Sequence, residues 1–161
     1  MQVQINASCY LRVATFASLL LFFAEQSWAE GPFDKMRGSW SGGGTATLSN
    51  GAQERIRCRA SYNPSGPNLR MSLVCASDSY KVDLASQITS SGGDIKGTWA
   101  EASRNVNGDV EGTAAGSTIQ LTAKSALFSA SLVVKTNGPN QSISITAPGS
   151  EVSRVAIALK R

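Results

Sequence analysis

The sequence predicts an all-β domain: one antiparallel, up-and-down β-barrel of eight to ten strands, with a β-sandwich as the other way to stack the same elements. Three observations carry this. Apolar residues recur at every second position, short alternating runs end in clusters of Gly, Asn, Ser, Asp or Pro, and no run shows a helical period. The chain has 161 residues, of which 42% are hydrophobic and 16% charged, enough for a single core.

The elements follow in order. The first strand is read at Gly38–Leu48, stopped by Ser49-Asn50-Gly51. Its Gly42-Gly43-Gly44 weakens a strand and so calls for a bulge, a barrel corner or a close backbone approach; a phosphate-cradling loop would need a lysine, a hydroxyl and a following helix. The second strand, Gln53–Tyr62, places Ile56, Cys58 and Ala60 on one face and Arg55, Arg57 and Arg59 on the other. In the third, Leu69–Ala76, the residues Leu69, Met71, Leu73 and Cys75 share a face. Setting Cys58 against Cys75 also sets Ala60 against Leu73 and Tyr62 against Met71, which leaves residues 63–70 as the loop. Further strands are read at Tyr80–Ile88, Ile95–Ser103, Asp109–Thr113, Thr118–Lys124, Phe128–Thr136, Ser142–Thr146 and Val152–Leu159. The intervening turns include Ser90-Ser91-Gly92-Gly93, Asn107-Gly108, Ala115-Gly116-Ser117 and Asn137-Gly138-Pro139-Asn140. Connections this short join antiparallel neighbours, because a parallel pair needs a long crossover.

Residues 1–29 read as a cleaved secretory signal. Arg12 precedes the uncharged run Val13 to Ala24, and Ser27-Trp28-Ala29 supplies the small-residue cleavage pattern. The run is too short to span a bilayer as a helix, so no membrane span is expected after processing. Residues 30–36 read as a linker and 37–161 as the barrel domain. Cys9 leaves with the signal, and the remaining pair, Cys58 and Cys75, is most simply a disulfide in an exported, periplasmic or extracellular protein.

Composition excludes much chemistry. The chain has no histidine, which removes Ser-His and Cys-His nucleophile pairs and histidine-ligated metal sites. No cofactor or metal is expected: the stretch from Asn105 to Glu111 alternates oxygen ligands but lacks the rest of a calcium loop. A formal net charge of +4 is no nucleic-acid signature, and specific nucleic-acid binding is not expected. The arginines at every second position also oppose a lipid-facing apolar band, so water is the expected surrounding; a monomer is the expected state.

Gly38-Ser39-Trp40 and Gly97-Thr98-Trp99 place an indole two residues after a strand glycine. This resembles the Gly-x-Trp opening of lipocalin-like and avidin-like barrels, and the likeness implies a mouth that holds a small hydrophobic or amphipathic ligand. Together with the central cysteine pair and Glu101 after the second Gly-x-Trp, the chain also resembles small exported bacterial β-barrel proteins of unassigned function, a likeness that brings no activity with it. Trp40, Trp99, Met71, Leu73 and Tyr62 are the candidates to line or plug such a cavity; the same aromatics also serve as plain core.

The stripe of Arg55, Arg57 and Arg59, extended by Arg70, is a candidate anion patch, since guanidiniums about 7 Å apart can clamp carboxylate, sulfate or phosphate groups. Its bland counterpart is a solvated strand face near Glu54 and Asp83. Carboxylate catalysis would draw on Glu101 with a second acid among Glu54, Glu111, Asp94 and Asp109. The sequence thus favours an exported, non-catalytic binding or accessory protein whose partner is a small molecule or an envelope component. Anionic-polymer binding and a carboxylate-dependent envelope hydrolase are the competing expectations.

Overall fold

The computed structural model describes residues 30–161; the signal segment and Cys9 lie outside the described residues. The described residues form ten strands: β1 (Gly38–Leu48), β2 (Gln53–Ser65), β3 (Asn68–Ala76), β4 (Lys81–Ser91), β5 (Asp94–Glu101), β6 (Val106–Ala115), β7 (Thr118–Ser125), β8 (Ser129–Asn137), β9 (Asn140–Thr146) and β10 (Val152–Lys160). Each pairs antiparallel with its sequence neighbour, and β10 returns to β1, closing the barrel and leaving no open edge.

Alternation decides which side chains fill the barrel. Along β2, Ile56, Cys58, Ala60 and Tyr62 are buried while Arg55, Arg57 and Arg59 are exposed. The apolar interior and charged or hydroxylic exterior are the reverse of a lipid-spanning barrel. Among the described residues, no helix is long and apolar enough to cross a membrane.

The β2–β3 register is the one the cysteines require: Cys58 faces Cys75, Ala60 faces Leu73, and Tyr62 faces Met71. The Cys58–Cys75 disulfide closes a sequence separation of 17 residues, worth roughly 3 kcal/mol in the chain-entropy treatment. The loop read at residues 63–70 is mostly strand, because pairing continues through Pro64↔Leu69 to Ser65↔Asn68. Pro64 is tolerated there because β1 ends at Gly38↔Tyr62, so β2 has a single neighbour beyond that point. The turn itself is Gly66-Pro67, with Gly66 at φ +57°.

Asn107-Gly108 is likewise not a turn. It pairs with Ala100 and Trp99 inside β6, and the reversal occurs earlier, where Asn105 takes φ +53°. Nor does Gly42-Gly43-Gly44 form a bulge, since its pairing is regular and the register shift falls between Thr47 and Leu48. A Cβ on Gly42 would lie 2.0 Å from the Ala158 carbonyl oxygen, and one on Gly44 1.9 Å from that of Ala156. These glycines let β1 press against β10 at the closing seam.

Candidate functional site

The barrel has two unlike ends. One carries only two-residue reversals, at 66–67, 92–93, 116–117 and 138–139. Into it folds the short 3-10 turn Asp34–Met36. The segment read as a linker therefore supplies core: Phe33 is 0% exposed and Met36 5%. The most deeply buried large side chains, Phe33, Trp40, Ile95 and Leu159, all gather here.

Polar groups at this closed end are paired. Trp40 Nε1 donates to the Met36 carbonyl at 2.7 Å. The Tyr62 hydroxyl donates to Gln141 Oε1 at 2.7 Å, and Gln141 Nε2 donates to Thr136 Oγ1 at 3.0 Å. Burial pushes the Tyr62 phenol well above its ordinary pKa, an effect the Gln141 bond only partly opposes. Arg161 lays its guanidinium over the Trp40 ring, 5.0 Å from the centroid.

The other end carries longer loops, at 49–52, 77–80, 102–105, 126–128 and 147–151. Glu101 organises one of them. It accepts backbone N–H bonds from Asp83 at 3.0 Å, Ser103 at 2.9 Å and Arg104 at 2.8 Å. Burial alone would raise its pKa, but these bonds outweigh burial and lower it. A carboxylate so held anchors the loop, and a lowered pKa is the opposite of what a general acid needs. Glu54 accepts from the Ser77 hydroxyl at 2.5 Å, and Glu111 pairs with Lys124, so each is engaged in a separate local contact. Tyr80 donates to Glu151 at 2.6 Å, tying the β3–β4 loop to the β9–β10 loop; that bond is the main cause of its raised pKa.

Between the ends the interior is apolar, and part of it is accessible. Leu121 faces Leu132, Leu132 faces Ile145, Ile145 faces Val155, and Val155 faces Ala46 in one ladder row. The first four point inward yet are only partly buried, although Ile119, Val134, Ile143 and Ile157 beside them toward the closed end are buried. Further toward the open end burial is mixed: Ala123, Ala130 and Ala147 are buried, Leu84, Val106, Phe128 and Val152 are partly buried, and Leu127 on the rim is 77% exposed.

The cavity candidates divide between these regions. Trp40 and Tyr62 sit at the closed end, Leu73 and Met71 lie along β3, and Trp99 stands toward the open end. Trp99 leans on Phe128 with ring centroids 5.9 Å apart and donates to the Asp109 carbonyl at 3.2 Å. Met71 is partly buried, opposite Tyr62 on one side and Ser86 on the other. The row from Leu121 to Val155 escaped the sequence reading, because a strand pattern tells inward from outward but not filled from accessible.

Arg55, Arg57 and Arg59 form one exposed outer stripe. Arg70 stands apart from it, between Asn63 and Gln87, beside a depression of about 500 Å³ on the outer wall near the closed end. Among the described residues there is no cluster of three or more His, Cys, Asp or Glu suited to a metal ion.

No family model matches this sequence, and a search of curated proteins finds no match either. Solved structures do share the fold. Rv2717c from M. tuberculosis superposes with a TM-score of 0.65 at 16% identity, covering 80% of this chain and 94% of that one. The S-type phycobiliprotein lyase CPES from Guillardia theta superposes with a TM-score of 0.55 at 12% identity, covering 79% of this chain and 86% of that one.

Proposed function

We propose that this protein is an exported, non-catalytic carrier that takes a small apolar or amphipathic molecule into the barrel through its open end. The observation that carries the reading is the row Leu121, Leu132, Ile145 and Val155: four contiguous inward-facing aliphatic side chains left partly accessible directly above a buried row toward the closed end. Exposed apolar surface facing inward is what an apolar guest covers. The closed end gives such a site a floor, and Leu127 and Phe128 give it an apolar rim. A barrel of similar fold is a phycobiliprotein lyase, a likeness that supports a small-molecule reading of this one. The Cys58–Cys75 bridge suits the oxidising compartment that the signal segment implies.

The test is uptake of N-phenyl-1-naphthylamine. Saturable fluorescence enhancement at one dye per chain is expected, abolished by Leu132→Trp, which fills the interior without adding charge. Enhancement that never saturates, or that is unchanged in a folded Leu132→Trp variant, overturns the carrier reading.

A further inference from the structure

Charge is divided unevenly around the barrel. The strand carboxylates Asp83, Asp94, Glu101, Asp109 and Glu111 all lie on β4, β5 and β6. The remaining strands run contiguously from β7 through β10, across the seam to β1, and on to β3. They hold one acid, Glu54, which accepts from Ser77 at the open end. On the same arc Arg55, Arg57, Arg59, Lys135, Arg154 and Lys160 are exposed, and among the described residues none of them has an ion-pair partner.

Barrel closure gathers these cations. Arg57 faces Gly43, Gly43 faces Ala158, Ala158 faces Ser142, and Ser142 faces Lys135. Arg59 faces Ser41, and Ser41 faces Lys160. With strands about 4.8 Å apart and alternate residues about 7 Å apart, each of these cations stands roughly 7 to 12 Å from its nearest neighbour. The small side chains between them leave an outer depression of about 410 Å³, a mostly apolar surface lined by Ser41, Lys135, Ser142, Ala158, Leu159 and Lys160.

The chemistry of the arc as a whole selects its occupant. The arc presents no outward aromatic ring for base stacking and no large exposed apolar side chain to enter a bilayer; the one such residue, Leu127, lies on the rim of the open end. It offers instead the hydroxyls and amides of Ser41, Thr45, Asn137, Asn140, Ser142 and Ser144 between its cations. We propose that the outer wall from β2 across the β1–β10 seam to β8 binds an extended acidic polysaccharide. Sugar carboxylates sit on the arginines and lysines, and sugar hydroxyls on the serine, threonine and asparagine side chains. This site is separate from the barrel interior.

Affinity electrophoresis of the processed protein through gels containing polygalacturonate tests it, with neutral dextran, single-stranded DNA and phosphatidylglycerol vesicles as comparisons. Retardation by polygalacturonate but not by dextran is expected, falling as salt rises. The triple variant Arg55→Gln, Arg57→Gln, Arg59→Gln should weaken it at least about tenfold, as should Lys135→Gln with Lys160→Gln. Lys96→Gln, on the acidic side, should leave it unchanged. Ser41→Ala with Ser142→Ala should weaken polygalacturonate binding and leave any DNA binding unaltered. The proposal fails if polygalacturonate is not bound at low salt, if the folded triple variant binds as well as the parent, or if DNA or vesicles are held as tightly as the polysaccharide.

Discussion

The two ends of this barrel are made of the same strands and differ in almost everything else. At one, two-residue turns, the Phe33–Met36 plug and a hydrogen-bonded chain of Tyr62, Gln141 and Thr136 leave every inward group packed or paired. At the other, longer loops surround inward-facing aliphatics that remain partly accessible. Ordering and opening are thus assigned to opposite ends, so substitutions should sort by end into those that cost stability and those that alter uptake.

The largest contrast is between two aromatic truncations. Trp40→Ala at the closed end should cost about 3 to 5 kcal/mol, because the cavity is walled by Phe33 and Met36 and cannot refill. Phe128→Ala at the open end should cost less than half of that and change dye uptake instead; urea unfolding of both variants measures it. Equal losses would mean that the open end is packed as tightly as the closed one.

Next comes the buried polar chain. Gln141→Ala leaves the Tyr62 hydroxyl without its acceptor, a penalty of about 1 to 3 kcal/mol. The double variant Gln141→Ala with Tyr62→Phe should recover part of it, and full additivity of the two changes would show that the bond contributes nothing.

The two most buried titrating groups, one near each end, should also fail at opposite extremes of pH. Tyr62 has a raised pKa, so its contribution is complete below the unfolded phenol's value of about 10 and is lost as pH rises beyond it. Glu101 has a lowered pKa, so its contribution is complete above the ordinary carboxylate range and is lost as pH falls through the folded value. Urea midpoints against pH should therefore drop at the alkaline side more steeply in the parent than in Tyr62→Phe, where only the exposed Tyr80 phenol remains raised, and drop at the acid side less steeply in Glu101→Gln.

The smallest effect belongs to the exposed Tyr80–Glu151 tie. Tyr80→Phe should move stability by less than about 0.5 kcal/mol, while stopped-flow mixing with N-phenyl-1-naphthylamine should show faster entry. Unchanged entry would remove this tie from any role at the mouth.

Much of the wall was legible in the sequence because strand alternation and turn chemistry are local. The Cys58↔Cys75 register followed from two cysteines on the apolar face of adjacent strands. What escaped was nonlocal or non-periodic. A single 3-10 turn has no period, so Phe33 and Met36 read as linker; Asn63, Pro64 and Ser65 are turn formers by type, yet they pair because β2 has lost one neighbour. Gly108 marked a turn by composition, but it lies in β6 directly opposite Trp99. The arginine stripe was visible, whereas its companions Lys135 and Lys160 became neighbours only through closure at the seam.

That seam joins the first strand made to the last. During folding β1 therefore waits, one side unpaired, until β10 is in place, a period in which an exposed ribbon invites pairing with another molecule. Its run of Gly42, Gly43 and Gly44 among serines and threonines makes it a poor template for such a stranger. The residues that let β1 lie close to its two neighbours in the finished barrel thereby also make its unpaired edge a weaker template before closure.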